Sequence, residues 1–289
     1  MDNIAIVTDS SSDIPKELVE KYGIKIIPMY INFGDHNYKE GEEITVEKVF
    51  GALKSGLKVR TSCPSVGDFV KLFEEIFKDK KYDKIYYIGL GSKLSSSINS
   101  ANIAKSYFPE GRVKIIDSNN TTISLGLIII EFSKLLKKGV RGKELDNYLN
   151  FLIKKYTFFA AIENFEYVFK SGRTPFLANF LSKAIIFKPV VSINSKGRIY
   201  LKKFVKNKNN SILELFKQSK SKMNYNHEWN VGIFYGQDKQ PANKLVDLFK
   251  NDKNIKVNQL LVTKITTIIS AHTGPGVWGV AFGPSINLA

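Results

Sequence analysis

Only one cysteine, Cys63, and three histidines occur in the 289 residues, so no internal disulfide and no Cys/His zinc cluster can form. Long apolar runs are absent as well: the longest, near Leu125–Ile130, falls far short of the roughly 18 residues of a membrane span. The opening Met-Asp-Asn-Ile lacks the basic segment of a secretory signal, and with the scarce cysteine it leads us to expect a cytoplasmic protein. The chain holds no Gly-x-Ser-x-Gly elbow, no Gly-Lys-Ser/Thr phosphate loop, no internal repeat and no low-complexity tract.

Positive charge is what the chain has in excess. Lys and Arg number 43 against 27 Asp and Glu, a net +16. Residues 1–60 sum to −2, so the remainder carries +18. Such a balance attracts nucleic acid, anionic membrane surfaces and phosphorylated ligands alike. No nucleic-acid recognition motif accompanies it, and the lysine-rich stretches are most simply solvated faces.

Apolar periodicity gives a strand at residues 3–8, the turn-forming Asp9-Ser10-Ser11-Ser12-Asp13 and then a helix. Further strands are expected at Lys25–Ile31, Lys84–Leu90 and Arg112–Ile116. Helices are expected at Thr45–Ser55, Ser65–Lys78 (with Ser65 and Asp68 as a capping box), from the Gly91–Ser97 loop to Tyr107, and at Ile123–Lys137. This alternation predicts an N-terminal α/β domain on a parallel sheet, residues 1–156. Beyond it, strands at Phe158–Ile162, Val231–Tyr235, Ile255–Thr263 and Val277–Phe282, a hairpin of Pro189–Ile193 with Arg198–Val205, and helices at Ser211–Met223 and Ala242–Lys250 predict a mixed-sheet α/β domain, residues 157–289.

Four polar clusters sit where α/β proteins place ligands. Asp9–Asp13 reads most simply as a cap and Asx turn. Thr61-Ser62-Cys63-Pro64-Ser65 leads into a helix start, which attracts anions when it is not merely capped. Gly89–Ser97 is a hydroxyl-rich turn with Leu94 where a dinucleotide fingerprint needs glycine. Ala271-His272-Thr273-Gly274-Pro275-Gly276 follows what reads as the end of an apolar strand. Serine loops, Asp9 and His272 leave a Ser-His-Asp lipid or ester hydrolase as an alternative reading.

Taken together, Val7-Thr8-Asp9-Ser10, Thr61–Ser65, Ser92-Lys93-Leu94-Ser95, Asp117-Ser118, Ser171-Gly172-Arg173 and His272–Gly276 resemble, in order and spacing, the landmarks of the DegV-like family. That family includes the fatty-acid-binding subunits of bacterial fatty acid kinase, which serve phospholipid metabolism. The resemblance implies two α/β domains with one long-chain fatty acid in an apolar tunnel between them. It implies a carrier without catalytic residues, metal or cofactor, whose ligand is phosphorylated by a separate ATP-dependent kinase subunit. Thr61, Ser62, Ser92, Ser95, His272 and Thr273 are then expected around the carboxylate, with Thr61 and Ser95 donating hydroxyl hydrogen bonds and His272 helping to hold it ionised. Arg173 is expected to face the kinase or the phosphoryl group, and the basic surface to meet anionic membranes. Ile123–Phe132 and Phe176–Ile186 offer tunnel-wall material, as an ordinary core would. Compared with the family pattern, Cys63 stands for a usual glutamine, Ser96-Ser97 for Gly-Thr, and Ser171 for the first of two glycines.

Overall fold

The computed structural model describes residues 3–174, 186–224 and 226–286. Its first half runs β1 (Ile4–Asp9), a turn of 3-10 helix at Ser10–Ser12, α1 (Lys16–Tyr22), β2 (Lys25–Ile27), β3 (Tyr30–Phe33), β4 (His36–Lys39), α2 (Val46–Lys54), β5 (Arg60–Ser62), α3 (Val66–Lys78), β6 (Lys84–Gly89), α4 (Ser97–Lys105), β7 (Val113–Asp117), α5 (Thr122–Lys137) and α6 (Gly142–Lys155). Strands β2-β1-β6-β7 form the expected parallel sheet. Residues Ile85 to Gly89 of β6 are buried, as a central strand covered on both faces requires.

The segment expected as one strand from Lys25 to Ile31 divides at Pro28, which supplies no backbone N–H. Its second part, β3, joins a small antiparallel sheet of order β4-β3-β5 that carries Thr61.

The second half contains β8 (Thr157–Ile162), α7 (Phe165–Lys170), β9 (Lys188–Ile193), β10 (Ile199–Val205), α8 (Lys208–Lys220), β11 (Glu228–Tyr235), α9 (Gln240–Asn251), β12 (Lys256–Lys264), α10 (Thr267–Thr273) and β13 (Val277–Pro284). Six strands pair in the order β10-β9-β8-β13-β11-β12, antiparallel except for β11 with β12. The sheet is mixed, as expected, and the protein is an α/β fold. Of the wall segment Phe176–Ile186, only exposed Ile186 lies within the described residues.

Helix α5 joins the halves. Every residue from Thr122 to Ser133 is buried, as a helix apolar on nearly all sides must be. It touches β1 on one side and β11 and β13 on the other. The largest core cluster accordingly mixes Ile88 of the parallel sheet, Ile123–Ile129 of α5, and Phe158, Val191 and Phe234 of the six-stranded sheet.

Candidate functional site

A narrow cavity of about 100 Å3 opens where α5 begins, between β5, the Leu90–Ser95 loop, α7, α10 and the facing strands β8, β9 and β11. Most of its wall is apolar, from Met29, Leu90, Phe158, Val191, Phe234 and Ile268 among others. Its polar lining comes from Thr61, Ser95, Arg173, His272 and several threonines.

Thr61 is the middle residue of β5, half-buried between exposed Arg60 and Ser62. Strand alternation makes this choice: Thr61 turns to the cavity, while Ser62 points away and its hydroxyl lies 3.4 Å from Asn32 Oδ1. Ser95 lines the cavity from a tight turn in which the Leu94 N–H donates to the Gly91 carbonyl at 2.8 Å. Its Oγ is 3.0 Å from that of Ser97. Ser92, on the same loop, is exposed and absent from the wall, and its backbone N–H donates to Asp117 Oδ1. The structure therefore brings together Thr61, Ser95, His272, Thr273 and Arg173, and leaves Ser62 and Ser92 outside the cavity.

His272 occupies the last turn of α10, where the sequence reads as a strand end. The helix stops at Gly274, which adopts φ +69 and whose hydrogen a Cβ would replace only by colliding with the Tyr167 ring. His272 Nε2 stands 2.8 Å from Thr61 Oγ1, and its buried Nδ1 has no hydrogen-bond partner. Burial first, and then the positive charge of Arg173, pull the imidazole down from its ordinary 6.5 to about 3, so it is neutral at physiological pH. Thr273 also borders the cavity, but its hydroxyl already donates to the Ile269 carbonyl at 2.9 Å.

Arg173 follows α7. Ser171, which replaces a family glycine, needs no glycine conformation (φ −68); the retained Gly172 carries the left-handed turn at φ +72. The Arg173 guanidinium donates to the Ser171 carbonyl at 2.8 Å. Burial lowers its pKa. Arg173, Thr61 and His272 border both the inner cavity and an outer recess of about 830 Å3. That recess is basic, with Lys54, Lys58, Arg60 and Lys170 on its wall; Glu166, its one acid, pairs with Lys170.

Three polar cavity residues are not marked by the sequence. Thr121 and Thr122 begin α5, and Thr174 donates its hydroxyl to the Val168 carbonyl. Thr122 is a β-branched residue at φ +51, a costly conformation of the kind concentrated at ligand sites. No local pattern signals it.

A hydrolytic triad does not assemble. The Asp9 carboxylate accepts from the Tyr87 hydroxyl and the Leu90 N–H, both at 2.8 Å, and from Ser11, so it ties the parallel sheet to its loops. Among the described residues no carboxylate hydrogen-bonds His272. Among the described residues no group of acids, His and Cys could hold a metal ion, and no helix is long and apolar enough to cross a membrane.

Comparison with known proteins agrees along the whole chain. A family described as an uncharacterised protein, DegV family, matches residues 3–285. A DegV domain-containing protein of Staphylococcus aureus is 30% identical over 275 residues, covering 95% of this chain and 96% of its own. Another from Clostridium acetobutylicum is 28% identical, covering 97% and 98%. Among solved structures, a Thermus thermophilus DegV family protein described for its fatty acid binding superposes with a TM-score of 0.92 at 25% identity, covering 97% of this chain and 99% of that one. A stearic acid-binding protein from Eubacterium ventriosum shares the fold, with a TM-score of 0.87 at 23% identity, covering 98% and 99%. The chain belongs to the DegV family.

Proposed function

We propose that this protein binds one long-chain fatty acid in the apolar cavity, between domains formed by residues 1–156 and 157–289, and presents the carboxylate to an ATP-dependent fatty acid kinase subunit. The observation that carries the reading is the shared rim: Thr61, His272 and Arg173 close the apolar cavity on one side and face a basic recess on the other. A narrow apolar slot suits an unbranched chain. A chain of about fifteen methylenes, worth on the order of 12 kcal/mol at ~0.8 kcal/mol each before binding costs, exceeds a cavity of about 100 Å3, so its full burial requires the walls to part. The fatty acid bound by the Thermus relative supports the same ligand class.

The carboxylate, once buried, must be hydrogen-bonded or paired. Thr61 and Ser95 supply hydroxyl donors, and the neutral His272, with its single proton on Nε2, donates to Thr61 Oγ1 so that the Thr61 hydroxyl hydrogen is left for the carboxylate. This division differs from one in which His272 provides the charge, because burial keeps its imidazole neutral. Protein purified from a bacterial host is expected to carry long-chain fatty acid at about one per chain, seen by mass spectrometry after solvent extraction. An empty protein that also fails to bind oleate or palmitate refutes the reading.

Arg173 and the recess belong to the second half of the proposal. A guanidinium at the rim can clamp a transferred phosphoryl group in a bidentate manner that lysine cannot reproduce. Arg173→Ala is therefore expected to retain bound fatty acid while acyl-phosphate formation with the kinase subunit falls at least tenfold. Loss of the bound lipid with normal phosphorylation per remaining ligand would instead assign Arg173 to the carboxylate alone. The basic surface is proposed to speed contact with anionic membranes by steering, so lipid loading from anionic vesicles should slow as salt is added.

A further inference from the structure

Helix α10 carries four cavity residues, Ile268, Ile269, His272 and Thr273, yet the amides of Thr266 and Thr267 at its start are held by the opposite half of the molecule. Asp13, 3% exposed and in the left-handed conformation (φ 49, ψ 25), accepts the Thr266 N–H on Oδ1 at 2.8 Å. Its backbone carbonyl accepts the Thr263 hydroxyl at 3.1 Å. Buried Glu40 reaches the next amide, accepting from the Thr267 N–H at 3.4 Å. Thr266, the residue before the helix, makes no capping bond with its own side chain, so these two acids take the place of a local cap. Thr122, the left-handed residue of the cavity wall, also lies against the Asp13 carboxyl.

A helix of seven residues spans only about 10 Å and does not bend over that length. Where its first turn is fixed, its last turn is fixed too. The last turn presents Nε2 of His272 to Thr61. We propose that Asp13 is a positioning residue for the carboxylate site: by anchoring the entry to α10 it sets where His272 stands against Thr61. The inference rests on the fatty-acid reading for its functional consequence, though not for its geometry.

The test uses delipidated full-length protein with two readouts: the 15N resonances of the His272 imidazole, and oleate affinity by titration calorimetry. Asp13→Asn keeps an acceptor oxygen and tolerates the left-handed backbone, so both readouts should stay near wild type, with affinity within about twofold. Asp13→Ala strips the acceptor from a buried N–H; the imidazole resonances should move and oleate affinity fall about tenfold or more. Thr263→Val removes the hydroxyl shared between the Asp13 and Lys264 carbonyls and leaves the Asp13 side chain intact; it serves where Asp13→Ala does not fold, with shifted resonances and about a threefold loss expected. A purely structural Asp13 would lower the melting temperature and leave His272 and oleate affinity untouched. Unmoved resonances and unchanged affinity in the folded variants overturn the assignment. Wild-type protein that ignores oleate refutes the fatty-acid reading instead, and the imidazole resonances still decide whether Asp13 places His272.

Discussion

Thr61→Ala is expected to weaken fatty-acid binding by tenfold to a hundredfold. A hydrogen bond to a charged acceptor contributes about 1.5–3 kcal/mol, and each 1.4 kcal/mol is a factor of ten. Thr61 has a second role that raises the cost above that of an isolated donor. Its hydroxyl is the only partner of His272 Nε2 among the described residues, and Nδ1 already has none. Removing it leaves an imidazole with both nitrogens unpaired at the rim of an apolar cavity, free to turn away from the carboxylate. Ser95→Ala should cost less, because the neighbouring Ser97 hydroxyl lies 3.0 Å from Ser95 Oγ and can take over part of its role. Thr61→Ser restores the hydroxyl and should restore most of the affinity. Oleate titration of the delipidated variants measures all three; wild-type affinity in Thr61→Ala removes Thr61 from the carboxylate shell.

Why the sequence does not separate Thr61 from Ser62, or Ser95 from Ser92, follows from the size of the elements. A three-residue strand has too few positions for its two-residue period to declare a phase, so Thr61 and Ser62 look equivalent until β5 pairs with β3. Ser92 and Ser95 differ by the same kind of local rotation within one tight turn. Thr122 is illegible for another reason: no residue type beside it marks the left-handed conformation, and the Ser10–Ser12 turn against which α5 packs is distant in sequence.

At the level of the fold, strong local signals were honoured. The Ser65–Asp68 capping box forms in full, with Phe69, Phe73 and Ile76 buried on one face of α3, and the expected hairpin is β9 with β10. Helix α6 lies outside the expected elements although Leu145, Leu149 and Leu152 mark its buried stripe at helical spacing, a signal that the sequence carries. Helix α10 has none. Ile265-Thr266-Thr267-Ile268-Ile269 is a β-branched run whose propensity favours a strand, and the acceptors of the Thr266 and Thr267 amides at the helix start are Asp13 and Glu40, more than two hundred residues away. The site residue His272 thus depends on a contact that no local reading can supply.

That contact also makes the stability of the delipidated protein depend on pH in two opposing ways. His272 titrates near its ordinary 6.5 when unfolded and at about 3 when folded, because burial and then Arg173 disfavour its charge. Between those values the unfolded chain binds the extra proton, so the His272 contribution is present above pH 6.5 and is lost as pH falls toward 3. Asp13 runs the other way. Burial, reinforced by Glu40 and opposed by hydrogen bonds from Thr122 and Thr266, raises its carboxyl from 3.8 to about 7. Here the folded state holds the extra proton, so stability is greatest below pH 3.8 and declines as pH rises to 7. Each slope is about 1.4 kcal/mol per pH unit where it is fully developed, and from about pH 4 to 6.5 the two nearly cancel. Single substitutions expose them. Relative to wild type, Asp13→Asn should gain about 2–3 kcal/mol of stability on going from pH 4.5 to 6.5, and His272→Gln should lose a similar amount. The double variant should again run parallel to wild type, since Glu40 and the remaining acids titrate in all four proteins. Urea unfolding at the two pH values measures these differences. An Asp13→Asn profile parallel to wild type would mean that the Asp13 carboxyl is ionised throughout, and that α10 is anchored by a buried carboxylate instead of a carboxylic acid.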